Sequence, residues 1–169
     1  NSVTSIGGRA FSDCSGLTSV VIPKSVTTIE RSAFEDCSGL TSVVIPKSVT
    51  SIGDWAFSSC SGLETVTIGS GVKNVGSDVF AKCENLTDVY CLANKVPSTN
   101  SDAFNESYPE YMTLHVPAES IDSYKTTEPW SSFGTIVTLE GSEGEMQKCA
   151  APVITYNDSG LDITCDTEG

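Results

Sequence analysis

Few residues in this chain are of the types that perform catalysis or bind metal ions. The single histidine, His115, has no neighbours in sequence that would complete a metal site or a Ser-His-acid triad, so we expect it to be structural. Glu35 and Asp36 could form an acid–base pair, but the pair is not repeated elsewhere, which favours a solvated loop. Metalloprotease, P-loop, nucleophile-elbow and dinucleotide-binding motifs are absent. We therefore predict no enzyme, no cofactor, and no catalytic or metal-binding residue.

Four of the seven cysteines follow one another at intervals of 23 residues: Cys14, Cys37, Cys60 and Cys83. Zinc sites usually draw ligands from close C-x₂₋₄-C pairs, and this spacing lacks such clustering. A disulfide framework has no need for so regular an interval. Free cysteine is among the most buried residue types, so the pattern predicts a ladder of buried thiols.

The cysteine spacing is that of a repeat that runs through the first half of the chain. Residues 2–23, 25–46 and 48–69 align without a gap, and a more divergent copy spans residues 71–92. Polar residues separate six apolar columns, which begin at Val3, Ile6, Phe11, Leu17, Val20 and Ile22. One such unit cannot bury its apolar residues alone, so it is stable only when neighbouring units stack on it.

Each repeat contains segments that predict particular local structures. Leu17–Ile22 has the L-x-x-L-x-L spacing of a strand, with Val20 and Ile22 pointing inward. Pro23 and Pro46 are expected to end this strand in the first two repeats. A second short strand is predicted in residues 3–6. Ala10–Cys14 is too short for a long helix, so we predict a single helical or 3₁₀ turn there.

The repeat resembles the BspA-type leucine-rich repeat of bacterial surface proteins. The resemblance lies in the unit L-T-S-V-V-I-P-K-S-V-T-x-I-x-x-x-A-F-x-x-C-S-G and above all in Ala33-Phe34…Cys37 and Ala56-Phe57…Cys60. It implies a mostly β repeat solenoid, a right-handed leucine-rich-repeat coil with short parallel strands, short helical or 3₁₀ turns and a C-terminal cap. It also implies an extracellular or bacterial cell-surface setting and a role in adhesion. It implies no particular ligand.

Three regions are predicted. Residues 1–92 hold four leucine-rich repeats, and residues 93–141 are similar to the family's divergent last repeat and C-terminal cap. Residues 142–169 are interpreted as a linker and the start of a truncated immunoglobulin-like β domain, with two strands around a hairpin turn. Spacing alone does not establish whether Cys149 and Cys165 form a disulfide.

Charge narrows the range of partners. The formal net charge is −13, and no basic stripe is apparent, so a polyanion such as nucleic acid is a poor partner. No apolar run approaches the ~20 residues that a membrane-spanning helix needs.

The chain starts in patterned sequence without a polar capping unit, so Val3, Ile6 and Leu17 would face solvent. Either upstream repeats precede them, which we favour, or another surface contacts this N-terminal end, including that of a second copy.

The outward side of the predicted strands is the candidate binding surface. Its residues are Ser19, Val21, Ser42, Val44, Thr65, Thr67, Asp88 and Tyr90. One hypothesis is that this surface recognises a host or matrix protein or a glycan, because exposed aromatic residues favour contacts. The other is that β-branched residues simply suit a sheet and that the array is a structural spacer within a larger surface protein. Tyr108, Tyr111 and Trp130 form a second, weaker candidate.

Overall fold

The computed structural model describes residues 3–139 in full and the backbone of residues 152–157 and 160–165. The chain winds into stacked coils that build two five-stranded parallel sheets. The strands of the narrow sheet have two residues each: β1 Ser5–Ile6, β2 Thr28–Ile29, β4 Ser51–Ile52, β6 Asn74–Val75 and β8 Ser98–Thr99. The strands of the wide sheet have four: β3 Ser42–Ile45, β5 Thr65–Ile68, β7 Asp88–Cys91, β9 Thr113–Val116 and β10 Thr135–Thr138. The predicted mostly β solenoid and its second short strand are confirmed.

The register of both sheets follows the repeat length. In the narrow sheet Ile6 pairs with Ile29 and Ile29 with Ile52, while in the wide sheet Val43 pairs with Val66. Each of these pairings joins residues exactly one repeat apart, so equivalent positions of successive coils stack directly on one another. Every inward residue is therefore covered by its own counterpart, which explains why the apolar columns recur so regularly.

The third side of each coil consists of turns, and the predicted helical or 3₁₀ turn at Ala10–Cys14 is wrong. Arg9 and Asp13 have positive φ angles of 59° and 61°. The backbone N–H groups of Arg9, Phe11 and Asp13 donate to carbonyls of the next coil over 2.8–3.0 Å. These bonds between coils alternate with bonds inside the segment, such as Ser12 N–H to the Arg9 carbonyl over 3.2 Å, so a series of tight turns with positive φ angles replaces a continuous helical turn.

The first described coil departs from the predicted pattern. Residues 19–22 do not form a strand, so the strand predicted at Leu17–Ile22 is wrong, and the wide sheet begins one coil later, at β3. On this side of the array Val3 is 59% exposed, Phe11 41% and Val21 68%. A strand is held by its ladder of backbone bonds, and the described residues form no such ladder between this segment and β3. Pro46 does follow directly after β3, as predicted.

Phenylalanine rings form a continuous stack through the core. Phe11, Phe34, Phe57, Phe80 and Phe104 lie with adjacent centroids 5.1–5.7 Å apart and ring planes within 17° of parallel. The rings of the three central coils are fully buried. Offset stacking of this kind adds about 0.5–1.5 kcal/mol per pair beyond the burial of apolar area.

The regular cysteines form the predicted ladder of free thiols. The Sγ atoms of Cys37, Cys60 and Cys83 each donate to a phenylalanine carbonyl of the preceding coil over 3.1–3.3 Å. Burial raises the pKa of all three thiols, in the case of Cys83 to about 12, so they stay protonated and unreactive at neutral pH. In the next coil Ser107 takes this place, because its hydroxyl donates to the Phe80 carbonyl and accepts from the Cys83 N–H.

The end of the array is closed by a short helix, α1 Ile121–Thr126, and by 3₁₀ turns at Pro109–Tyr111, Ala118–Ser120 and Trp130–Ser132. Trp130 and Phe133 meet the ring of Phe104 edge-on, with centroids 5.7 and 5.0 Å away. Tyr124 is fully buried, and its hydroxyl donates to the Ala93 carbonyl. Edge-on aromatic residues thus end the parallel ring stack and cover its last member.

Beyond the cap the described backbone contains two antiparallel strands, β11 Pro152–Asn157 and β12 Gly160–Cys165. The predicted pair of strands is confirmed. The linker at 142–151, including Cys149, lies outside the described residues. The tip of the hairpin, the side chain of Cys165 and the question of a disulfide also lie outside them. No helix in the described part of the chain is long and apolar enough to cross a membrane.

Candidate binding face

The outward side chains of the wide sheet form two rows, which together we call the strand face. The register aligns Ser42, Thr65, Asp88, Thr113 and Thr135 in the first row. It aligns Val44, Thr67, Tyr90, His115 and Val137 in the second. Neighbouring strands lie about 4.8 Å apart, so each row presents one side chain per coil at nearly constant spacing.

The predicted candidate residues differ in their accessibility. Six of them lie on the strand face, and of these Ser42 is exposed while Val44, Thr65, Asp88 and Tyr90 are half-buried. Thr67 is only 7% exposed, so it separates Val44 from Tyr90 without offering much surface itself. Ser19 and Val21 are exposed, but they lie on the first coil outside the sheet. The structure therefore brings six of the eight residues together.

The two rows meet in one polar and aromatic cluster. The rings of Tyr90 and His115 stack with centroids 4.1 Å apart and planes within 8° of parallel. Nε2–H of His115 donates to Oδ1 of Asp88 over 2.9 Å, and the hydroxyl of Thr87 donates to Oδ2 over 2.9 Å. Both carboxylate oxygens and both rings are held in place, so the cluster is a preorganised part of the surface.

The cluster also has a defined electrostatic character. Partial burial, and then the negative charge of Asp88, raise the pKa of the Tyr90 hydroxyl above its ordinary value. Tyr90 therefore remains a neutral phenol that can both donate and accept a hydrogen bond at physiological pH. An aromatic residue that presents a polar tip at a partly desolvated site is typical of protein contact surfaces.

The His115–Asp88 pair is not accompanied by a nucleophile. A triad needs a serine or cysteine hydrogen-bonded to the second ring nitrogen, and among the described residues His115 bonds only to Asp88. No group of three His, Cys, Asp or Glu side chains in the described part of the chain could hold a metal ion. The arrangement suits recognition of a partner through hydrogen bonds and ring contacts.

The second candidate, formed by the cap aromatics, divides in the structure. Trp130 is fully buried and donates through Nε1 to the Pro97 carbonyl, so its assignment to a binding surface is wrong. Tyr108 and Tyr111 are 54% and 84% exposed on either side of Pro109. A shallow groove of about 400 Å³ lies beside them and is lined in part by Tyr108. This pair provides a natural comparison for Tyr90.

Sequence reasoning missed the part of the strand face that lies beyond Tyr90. His115 was expected to be structural, and it is 9% exposed, yet it stacks on the central aromatic residue of the face. His115 lies in the region 93–141 that was predicted to hold the last repeat and cap, and the structure forms β9 there. Pairing it with β7 would have placed His115 beside Tyr90, but the chain between them is longer than one regular repeat, so the fixed interval did not align them.

Comparison with known proteins agrees with this architecture. Residues 1–125 match the family described as the BspA type leucine rich repeat region, in six copies. A T. pallidum leucine-rich repeat protein is 26% identical with a TM-score of 0.65, over 80% of this chain and 63% of its own. A leucine rich cell surface protein from Faecalibacterium prausnitzii A2-165 is 20% identical with a TM-score of 0.41, over 81% and 57%.

The chain thus spans less than two thirds of the length of these solved relatives. No curated protein shows significant similarity to it. The family match covers well over half of the sequence and agrees with the two parallel sheets and the stacked Ala-Phe…Cys columns. The chain belongs to the BspA-type leucine-rich repeat family.

Proposed function

We propose that this solenoid is a non-catalytic binding module that recognises a macromolecular partner, in the first place a protein, through its strand face. The observation that carries the proposal is the Tyr90–His115–Asp88 cluster at the centre of the two rows. An aromatic anchor surrounded by smaller apolar and hydroxyl side chains is the composition of a protein contact surface. Leucine-rich repeats of this family fit a binding or structural module and are typically non-catalytic.

The shape of the surface supports a protein over a small molecule. Two grooves on the described surface, one lined by Lys73 and Lys95 and one beside Tyr108, contain no residue of the Tyr90–His115–Asp88 cluster. A small ligand needs a concave site that buries most of its own surface. Two rows of side chains that continue over five strands instead match a partner that spreads over several coils, and the most obvious class is a host or matrix protein.

A setting on the bacterial cell surface, outside the membrane, is part of the proposal. Its support is the family, whose repeats are those of bacterial surface proteins. Adhesion to host material would follow from such a placement together with a binding face.

A spacer function is the second candidate, and the continuous core favours it. The phenylalanine stack runs through five coils without interruption and ends on the cap aromatics. A solenoid with such a core is stiff along its axis and would hold neighbouring domains at a fixed distance. A spacer needs no specific chemistry on the strand face, so the two functions differ in their response to substitution.

The test is a screen of the chain against immobilised host matrix proteins and glycans, with the Val44→Ser/Tyr90→Ser double variant alongside. Both side chains are half-buried at the surface, so the double variant is expected to keep the fold. The matched control is Tyr111→Ser, which removes a more exposed aromatic residue from the cap. Circular dichroism and thermal melting verify that all three proteins are folded.

Saturable binding that the double variant loses by tenfold or more and that Tyr111→Ser retains would support the strand face. A further variant, Tyr90→Phe, separates the ring from the hydroxyl and should retain most of the affinity if stacking dominates. Binding that is equally strong in the double variant would refute the strand-face proposal. A complete lack of binding would favour the spacer.

A further inference from the structure

The corner that joins the wide sheet to the narrow sheet has a charge opposite to that of the chain as a whole. It consists of residues 23–29, 46–52, 69–75 and 92–99 in four successive coils. These segments contain Lys24, Lys47, Lys73 and Lys95 and not a single acidic residue, although the net charge of the chain is −13. We call this strip the lysine corner. The sequence showed no basic stripe because each of its lysines lies in a different repeat, and folding brings them to the same corner of the solenoid.

Stacking places one of these lysines on the corner in each of four successive coils. Lys24 and Lys47 occupy the same position of turns that begin at Pro23 and Pro46, where the Val26 and Val49 N–H groups close the turn. Lys95 lies one position further along its coil than Lys24 and Lys47 do in theirs, since the narrow-sheet register aligns it with Gly71. Lys73 lies two positions beyond Gly71 in its own coil. At about 4.8 Å between coils, the corner offers one cation per coil.

Three of these cations are available to a ligand. Lys47, Lys73 and Lys95 are exposed, and none of them forms an ion pair with another described residue. The outward row of the adjoining narrow sheet is Ser5, Thr28, Ser51, Asn74 and Ser98. The cations therefore border a row of uncharged hydrogen-bonding side chains, which can both donate and accept.

A groove of about 680 Å³ lies at the C-terminal end of the lysine corner. Lys73 and Lys95 line it together with Asn74, Thr99 and Thr127, and the carboxylate of Glu128 is the one acidic group among its lining residues. It is larger than the groove beside Tyr108, and it holds both lysines in one concavity.

The cap fixes the loop that carries Lys95. The hydroxyls of Ser120 and Tyr124 donate to the carbonyls of Asn94 and Ala93 over 2.6 and 2.7 Å. Trp130 donates to the Pro97 carbonyl over 3.2 Å from the other side. Lys95 therefore projects from a backbone held on both flanks, so less ordering entropy is lost when a ligand binds there.

We propose that the lysine corner and its groove bind a linear acidic polysaccharide, one with carboxylates or sulfates on its sugar rings. Two lysines of adjacent coils in one groove suit successive anionic groups of an extended sugar chain, and exposed Lys47 extends the cationic strip by one coil. The serine, threonine and asparagine side chains suit the sugar hydroxyls. This surface is separate from the strand face, so the two sites are independent of each other.

Nucleic acid fits the corner poorly for two reasons. Double-stranded DNA carries one charge per about 1.7 Å of axis, far denser than one lysine per coil, and the rest of this chain would repel it. Single-stranded nucleic acid is held by bases stacking on aromatic side chains, and the four corner segments contain none. An acidic polysaccharide carries its charges further apart than double-stranded DNA, so the acidic chain repels it less, and its sugars bind without an aromatic stacking surface.

The test measures binding of defined oligosaccharides by isothermal titration calorimetry at low and physiological salt. The probes are oligogalacturonate for carboxylates and chondroitin sulfate oligosaccharide for sulfates, with a neutral dextran oligomer and oligo(dT) as comparisons. The variant is Lys73→Gln/Lys95→Gln, and the matched control Lys82→Gln/Lys125→Gln removes two exposed lysines elsewhere. Tyr90→Ser tests independence from the strand face.

We expect saturable binding of at least one acidic oligosaccharide, weakened about fivefold or more by Lys73→Gln/Lys95→Gln and by less than twofold in the control. Glu128→Gln should tighten it, and Tyr90→Ser should leave it unchanged. The stronger of the two acidic probes identifies the anionic group. The proposal is overturned if neither acidic probe binds, if both lysine pairs lose affinity equally, or if oligo(dT) or dextran binds as tightly.

Discussion

Replacing Phe57 with alanine should destabilise the solenoid far more than the same change at Phe11, although both residues occupy the same column. Phe57 is fully buried between Phe34 and Phe80, with ring centroids 5.1 and 5.7 Å away. Phe11 is 41% exposed and stacks on one ring alone, that of Phe34 at 5.2 Å. A fully buried Phe→Ala change costs about 3–5 kcal/mol of unfolding free energy.

The smaller effect at Phe11 follows from its exposure. Burial stabilises in proportion to the apolar area removed from water, and solvent fills the space left by a truncated surface ring, so about 1–2 kcal/mol is expected there. Phe57→Ala also weakens contacts with two neighbouring coils, whereas Phe11→Ala weakens contacts with one. Because a solenoid's stability is a sum of coil and interface terms, the difference should persist in any truncated version that contains both residues.

The assay is urea unfolding monitored by far-ultraviolet circular dichroism. It is applied to the two alanine variants and to a double-mutant cycle made of Phe34→Leu, Phe57→Leu and the variant with both changes. The cycle should show a coupling of about 0.5–1.5 kcal/mol if the rings stabilise each other directly. Equal losses for Phe57→Ala and Phe11→Ala, or additive effects of the two leucine changes, would refute the idea that coil-to-coil ring contacts hold the array together.

Three further predictions concern the thiols, the tight turns and the strand face. Burial raises the pKa of Cys91 to about 11, so the folded protein keeps this proton at a pH where the unfolded chain loses it. This thiol alone should therefore lower the unfolding free energy by about 1.4 kcal/mol per pH unit as the pH rises from 9 to 11. Urea unfolding midpoints measured over this pH range should fall less steeply in Cys91→Ala. A Cβ at Gly53 would lie 2.6 Å from a backbone nitrogen of the preceding coil, so Gly53→Ala should lower the unfolding free energy by about 1–3 kcal/mol. A Cβ at Gly16 would meet open space, so Gly16→Ala should leave the melting temperature nearly unchanged. Asp88→Asn should lower the raised pKa of Tyr90 without restoring its ordinary value, because burial is the larger cause of the shift. Ultraviolet titration of the Tyr90 phenol measures this pKa, and an unchanged pKa would show that the Asp88 carboxylate has no influence on it.

The sequence was sufficient to predict the core because its columns recur at a fixed interval. The Cys37 and Phe34 columns were both identified from spacing alone, and both form continuous ladders in the structure. Where the interval lengthens, in the coil that ends at β9, the same logic no longer aligned residues correctly. Ser107 stands one position beyond the place where the next cysteine was due, and His115 lies further from Tyr90 than one repeat length.

The turn side of the coil was unpredictable for a different reason. Arg9, Ser32, Trp55 and Asp78 all have positive φ angles, which are unfavourable for most residues and normally signalled by glycine or asparagine. The backbone N–H groups of Arg9, Ser32 and Trp55 donate to carbonyls of the next coil over 2.9–3.0 Å. Contacts between coils therefore override local preference, and a single repeat carries no signal of them.

The register that aligns the core also organises the surface, and this explains how one simple repeat can carry distinct sites. Inward positions are confined to apolar residues because each is covered by its counterpart, whereas outward positions are free to change from coil to coil. Along one row the side chain changes from Val44 to Thr67 to Tyr90 to His115, which concentrates aromatic and polar character in two coils. Along the corner, small shifts in position still leave Lys73 and Lys95 in one groove. Because both surfaces rest on the same ladders, a substitution on either should alter recognition there without disturbing the core or the other surface.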